Sequence, residues 1–305
     1  MAARPYIAVV GGVNMDITGF SGTELVLGDS NPGQVTMTPG GVGRNIAENI
    51  ARLGFPVTLV TALGDDTHAQ EIRRHCASCG IDLSYSGVIF GVPTSTYLCI
   101  NDSKGDCLCA IADMAVCDAI TPEYLQNRIR ALTQSQMIIV DANLSEETLA
   151  FIAQSQSAPI IADPVSSKKA PRLAGILGSL YAIKPNRAEA EILSGMKISS
   201  QEDLQRVGEW FLYEGVRHVW ITLGRDGVFY MNEEEHGIVP CVPGPVVSTN
   251  GCGDAFLAAA SIALLEGKKL SEAARLGQAA SAVCARSPRA VNADLRMDSL
   301  NFEFL

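Results

Sequence analysis

Short apolar runs recur along this chain at intervals that leave room for a helix between most of them. Residues 7–10, 57–62, 137–140, 159–162, 180–183 and 218–223 are each only four to six residues long and mostly apolar. Runs of that length, apolar on both sides, fit strands buried in a sheet that is covered on two faces. The intervening pattern predicts helices over 45–53, 69–79, 145–154, 187–194 and 201–213, with 254–265 and 271–284 closing the chain. Gly80 stands where the helix over 69–79 should stop, and the alanines of 271–284 suit close packing. Strands alternating with helices make a mainly parallel sheet with helices on both faces, an α/β fold.

Two segments break the alternation. Residues 14–38 hold Gly, Ser, Asp, Asn and Pro with short alternating stretches such as Gln34-Val35-Thr36-Met37. Residues 88–112 read as a hairpin: 94–101, a turn at Asp102-Ser103-Lys104-Gly105, then 106–112. Both are expected to project from the main sheet as a small β-lid; the alternative is a pair of surface hairpins without a role. No repeat, low-complexity tract or linker interrupts the chain. Residues 1–305 are therefore expected to form a single α/β domain with lid segments at about 14–38 and 88–112.

A chain of 305 residues that is 47% hydrophobic can bury a large core. Its net charge of −10 argues against nucleic acid or an anionic membrane as the main partner, because both require a basic face. The first apolar run is too short for a signal peptide and no stretch approaches membrane-spanning length, so a cytoplasmic location is expected. The nine cysteines are odd in number and scattered, a pattern of reduced thiols. Cys76 and Cys79, beside His75, have metal-ligand spacing, but Cys107-Leu108-Cys109 does not supply the second pair of a zinc knuckle. Small packing residues near a helix end are the expected role of Cys76 and Cys79.

Chemistry concentrates in Ser248-Thr249-Asn250-Gly251-Cys252-Gly253-Asp254, which runs into the apolar stretch 256–265. Small residues at Gly251, Cys252 and Gly253 let backbone N–H groups converge, and the positive end of the following helix aims at the same spot. A carboxylate beside such an anion site fits a base that takes a proton from a hydroxyl while the turn holds phosphoryl charge. An ordinary helix entry, with Asp254 in the first turn, remains the other reading. A second cluster, Pro39-Gly40-Gly41-Val42-Gly43-Arg44-Asn45, precedes the helix over 45–53. Gly40 and Gly41 allow close approach to backbone, and Asn45 offers a donor and an acceptor to a polyol. This cluster does not follow the first strand as a dinucleotide fingerprint would, and no Gly-Lys-Ser/Thr of a P-loop occurs.

Taken together the two clusters resemble the two signatures of the ribokinase (PfkB) family of sugar and nucleoside kinases. Asn186-Arg187-Ala188-Glu189 is similar to that family's Asn-x-x-Glu motif, and Thr222-Leu223-Gly224-Arg225-Asp226-Gly227 to its nucleotide-binding strand and turn. The resemblance runs from Ile7 to about Arg286. It implies a ribokinase-like three-layer α/β/α sandwich with a mainly parallel sheet and a β-lid, using ATP and Mg²⁺. It further implies Asp254 as the base and the N–H groups of Gly251, Cys252 and Gly253 as the anion hole. Asn186 and Glu189 would act on Mg²⁺ or its waters, although Asn186 as a helix cap with Glu189 three residues on reads equally as a capping box. Thr222, Gly224, Gly227 and, more distantly, Gln278 would line the nucleotide. Asn14 and Asp16 match the start of the acceptor site, where a turn-stabilising role is the alternative. The family has aspartate where Ser248 stands and alanine where Cys252 stands; that aspartate helps order a monovalent-cation site, so K⁺ activation is in doubt.

Within the family, the stretches around Asp29–Gly33, Thr38–Ala47, Pro93–Leu98, Asn143–Glu147 and Asp163–Ser166 look most like those of pseudouridine kinases. A ribose and a uracil edge would meet Ser30, Asn31, Thr94, Thr96 and Asn143, with Lys168 or Lys169 reaching a carbonyl. Each of these could instead bond its own backbone. Kinases of ribose, adenosine or inosine are the alternatives, as is a non-catalytic nucleoside sensor, which would be expected to have lost Asp254 or Glu189. The exposed face expected of a lid points to a homodimer.

Overall fold

The protein, a computed structural model, is described over residues 5–102, 107–155 and 158–300. The chain opens with β1 (Ile7–Val10), the hairpin β2 (Asn14–Ser21) and β3 (Gly33–Gly40), α1 (Val42–Arg52), β4 (Val57–Val60), β5 (Ala62–Leu63), α2 (Thr67–Cys79) and β6 (Gly87–Val88). A second excursion, β7 (Thr96–Asn101) and β8 (Cys107–Asp113), leads to the short helices α3 (Pro122–Gln126) and α4 (Ile129–Thr133). Then come β9 (Met137–Asp141), α5 (Glu146–Ser155), β10 (Ile160–Asp163), β11 (Ala182–Ile183), α6 (Arg187–Ser194), α7 (Gln201–Tyr213) and β12 (His218–Thr222). The last elements are β13 (Val228–Met231), β14 (His236–Val239), α8 (Cys252–Leu265) and α9 (Leu270–Ala285).

The main sheet has the order β14-β13-β12-β11-β10-β9-β1-β4. Strands β4 to β12 within it run parallel, and β13 and β14 add an antiparallel edge. Because side chains alternate along a strand, the sheet feeds two cores. Ile7, Val9, Met137, Ile139, Ile161 and Trp220 pack with α1, α2, α8 and α9. Val10, Ile138, Val140, Ile160, Val219 and Ile221 pack on the opposite face with α3 to α7. The result is the expected three-layer α/β/α sandwich.

Both excursions meet in a separate four-stranded sheet, β3-β2-β7-β8, which is the lid. The turn read at residues 102–105 lies mostly outside the described residues. Two of the expected strands are cut short by two residues. The run at 57–62 splits at Thr61 because Ala62 and Leu63 leave the main sheet to pair with β6. Only Ala182 and Ile183 of the 180–183 run form β11, and a 3₁₀ segment, Ala170–Ser179, precedes it. Helix ends follow chemistry: Gly80 and Gly195 stop α2 and α6 in the left-handed conformation, and Ser200 caps α7.

Candidate active site

Polar residues sit where the parallel strands end: Asp141 at the close of β9, Asp163 at the close of β10, and Lys184 just beyond β11. The carboxyl ends of such strands are the usual ligand crevice of an open α/β sheet. Asp141 is fully buried. Its Oδ2 accepts from Gly12 N at 2.8 Å and Gly43 N at 2.9 Å, and its Oδ1 from Asn143 N at 2.9 Å. One carboxylate thus ties the turn after β1 to the start of α1. Burial pushes its pKa up to about 6 against these hydrogen bonds.

The second glycine cluster now has a geometric reason. Gly41, the residue before α1, has φ +97° and a Cβ there would meet Val13 Cα at 2.6 Å. A side chain on Gly40 would run into the Asp16 carboxylate. Close approach of β3 therefore delivers Asn45, one turn into α1, to the crevice. Asn45 Nδ2 donates to Asp254 Oδ2 at 2.8 Å, joining residues 209 positions apart.

Asp254 lies in the first turn of α8 and is only 8% exposed. Gly251 precedes the helix at φ +75°, with the Ala290 carbonyl where a side chain would be. Of the three expected anion-hole donors, the Cys252 amide is engaged within the turn, donating to Thr249 O at 3.3 Å. Lys184 Nζ comes within 3.1 Å of the place a Gly253 side chain would occupy, and pairs with Asp163 Oδ2 at 3.1 Å. Burial and the Asp163 charge push Asp254 up to about 7, while the Asn45 hydrogen bond, Lys184 and Arg44 pull the other way. A carboxylate with that pKa is matched to proton transfer at neutral pH.

Asn186 and Glu189 form a full capping box on α6: Glu189 N donates to Asn186 Oδ1 at 2.9 Å and Asn186 N to Glu189 Oε2 at 2.8 Å. Both readings of this motif are compatible, because each carbonyl-type oxygen used for the cap retains a second lone pair and Glu189 a second oxygen. Asp163, Glu189 and Asp254 are all buried around Lys184, three carboxyl groups to one ammonium, and they offer hard oxygen donors. That donor set fits Mg²⁺.

Among the residues expected to meet the acceptor, Asn14 Nδ2 donates to Asp16 Oδ1 at 2.5 Å, and burial raises the Asp16 pKa. Lys169 Nζ donates to Asn143 Oδ1 at 2.5 Å, whereas Lys168 is exposed. Thr94 is committed to structure: its hydroxyl donates to Asp66 Oδ1 at 2.7 Å and accepts from Gly64 N at 3.0 Å. Thr96 begins β7 opposite Met15 of β2. Ser30 and Asn31 sit in the β2–β3 connection, where Asn31 bonds Val26 and Asp29 backbone and Ser30 is exposed.

Thr222 bridges to Asn186, and Gly224 and Gly227 take positive φ in the turn to β13. Gln278 is buried on α9 with its amide on Val239 O at 3.4 Å. Ser248 accepts from Asn250 N at 3.1 Å. Sequence reading passed over Asp141, Asp163 and Lys184 as functional groups. Their shared signal was a charged residue interrupting an apolar run at its C-terminal end.

Residues 4–296 match the family described as pfkB family carbohydrate kinase. The chain belongs to the pfkB family. As a pfkB kinase it is a phosphotransferase with an alcohol group as acceptor. It is 35% identical to the pseudouridine kinase of Escherichia coli K12 over 97% of this chain and 95% of that one. A carbohydrate kinase from Agrobacterium tumefaciens superposes with TM-score 0.85 at 30% identity, covering 97% of this chain and 96% of the other. Arabidopsis thaliana ribokinase, solved with ribose and ATP, shares the fold at TM-score 0.85 and 23% identity, over 98% of each chain. Among the described residues no helix is long and apolar enough to cross a membrane.

Proposed function

We propose that the protein transfers the γ-phosphoryl group of ATP to the 5′-hydroxyl of pseudouridine, giving pseudouridine 5′-phosphate and ADP. The observation that carries this reading is Asp254, a buried carboxylate at a helix N-terminus, held by Asn45 and raised toward neutrality. Asp254 takes the hydroxyl proton as the acceptor oxygen forms its bond to the γ-phosphorus and the bond to the β–γ bridging oxygen breaks. Gly251 and Gly253 amides and Lys184 face the charge that spreads over the transferring oxygens. Glu189 and Asn186, with Asp163 nearby, would hold Mg²⁺ through its waters; when bound it would neutralise phosphate charge. Asn14, Asp16 and Asn45 hold the ribose hydroxyls, and Lys169 with Asn143 meets the base. The 35% identity to a pseudouridine kinase supports this acceptor over ribose or a purine nucleoside.

The lid also carries a partner surface. Register puts Met37, Ile17, Leu98 and Ile111 in one cross-strand row and Val35, Gly19, Ile100 and Cys109 in the next. Strand alternation puts these rows on the face opposite Asp16. Val35, Met37 and Ile111 there are 71%, 52% and 66% exposed. A second copy of this chain, seated lid to lid, would cover that face.

The test is ATP-dependent phosphorylation of pseudouridine, uridine, adenosine, inosine and ribose by the wild type, with Asp254→Asn as control. Turnover of pseudouridine far above the others, lost in the variant, is expected. Preference for ribose or a purine nucleoside would overturn the acceptor, and tight nucleoside binding without any turnover would favour a sensor.

A further inference from the structure

Helix α1 carries a charged cluster that the phosphoryl-transfer site does not obviously need. Arg44 and Glu48 are each only 2% exposed, an expensive arrangement for two charges unless they are paired. The Arg44 guanidinium forks: Nη1 bonds Glu48 Oε2, Nη2 bonds Asn45 Oδ1, and Nε donates to Gly40 O at 3.3 Å. Glu48 is anchored in turn. Its Oε1 accepts from Arg52 Nε at 2.8 Å and Nη2 at 2.6 Å, and His75 Nε2 of α2 lies 2.9 Å from its Oε2. Cys79 and Glu48 push His75 up to about 9, so it is protonated at neutral pH. Burial opposes ionisation of Glu48, yet His75, Arg44 and Arg52 hold it well below the usual carboxylate range.

Among the described residues Glu48, His75 and Cys79 are the one set of such side chains whose ligand atoms all lie within 4.8 Å of one another. Two guanidinium groups already occupy both Glu48 oxygens, and burial pushes the Cys76 thiol up to about 12. The set is therefore an ion-pair anchor. What it anchors is Asn45. A side-chain amide has nearly the same shape flipped, and only its partners decide which end faces which way. With Oδ1 claimed by Arg44, Nδ2 must face Asp254; a flip would set two donors and two acceptors against each other.

We propose that Arg44 is a positioning residue for the general base: its fork fixes the Asn45 amide so that Asp254 is held by an N–H in reactive geometry. This rests on Asp254 being the base. The cluster extends from the crevice through Arg44 and Glu48 to Arg52 and to His75 and Cys79 on α2, while Asp163 and Lys184 face Asp254 from the sheet.

The test compares Arg44→Met with Arg52→Met, which removes an equally direct Glu48 partner that does not touch Asn45. Each is measured for kcat against pH and for Tm, with whichever acceptor the wild type uses best. Loss of the charge-assisted bond to Asn45 is expected to lower kcat in Arg44→Met by about tenfold to a hundredfold. Removing a cation that favours ionised Asp254 should also move the acid limb of kcat to higher pH, and Arg52→Met should leave kcat and the limb unchanged. Should Arg44→Met fail to fold, Arg44→Lys keeps the charge without the fork and is expected to lose kcat while holding the limb in place. Equal kcat and pH profiles in the two methionine variants, or full kcat in Arg44→Lys, would make Arg44 structural only. A different preferred acceptor would sink the pseudouridine reading and leave the comparison intact, whereas an active Asp254→Asn would remove the base itself.

Discussion

Replacing Asp254 by asparagine keeps the shape of the side chain and a partner for Asn45 but removes the charge and the proton acceptor. Two magnitudes follow. Loss of a general base lowers kcat by about 10²–10⁴. The wild type should also show an acid limb: with a pKa near 7, the ionised fraction is about 9% at pH 6 and about 91% at pH 8, a tenfold rise in kcat. The variant has no such group and its residual rate should be flat over that range. Stability moves the other way. The native pKa is raised above the unfolded value, so the folded state binds the proton more tightly, and wild-type stability falls as pH rises from about 4 to 7. The variant escapes that loss, and its Tm at pH 8 should equal or exceed the wild type's. Steady-state phosphorylation across pH 6–8 and a thermal melt at pH 8 give both readouts. A variant within tenfold of wild-type kcat, or one whose rate still rises tenfold over those two units, would refute Asp254 as the base.

Glu189→Gln preserves an acceptor for Asn186 N, so α6 should stay capped; the Mg²⁺ concentration for half-maximal rate should rise about tenfold, as a titration would show. An unchanged requirement would remove Glu189 from the metal site. Ile111→Asp, in the exposed apolar row of the lid, should convert a lid-to-lid dimer to monomer in light scattering without lowering Tm. Gly227→Ala forces a side chain onto φ +94° and into the Val239 carbonyl, and should lower Tm by at least about 3 °C.

Much of this molecule is legible before it is folded. Helices α6 and α7 have the bounds the sequence predicts, because Asn186 and Ser200 are caps and Gly195 stops the first. The lid strands are legible as alternating runs between turn residues. Strands β13 and β14 are not: four residues each, they exist only because β12 offers an edge and Gly227 a reversal. Thr94 has the chemistry of a ligand contact, and only the fold reveals that Asp66 has claimed its hydroxyl. Lys184 and Asp163 are distant in sequence and mean little until parallel strands bring their ends together. Arg44 and Glu48, at i and i+4 on α1, carry no signal of burial in the sequence; their burial is a tertiary fact.

Helix α8 is buried without a break from Asp254 to Leu264. Trp220 meets Phe256 edge-on at 5.8 Å, and the Phe256 ring fills the space that any side chain on Gly277 would need. A rod walled in on every side has no direction in which to drift. Its amides should be among the slowest in the molecule to exchange with heavy water. Asp254, the base proposed above, therefore keeps fixed coordinates through a turnover, and accommodation of an acceptor falls to the thin lid, where exposed side chains can change at little cost. Descendants of this chain that acquire new acceptors should accordingly differ across β2, β3, β7 and β8 while α8 stays as it is.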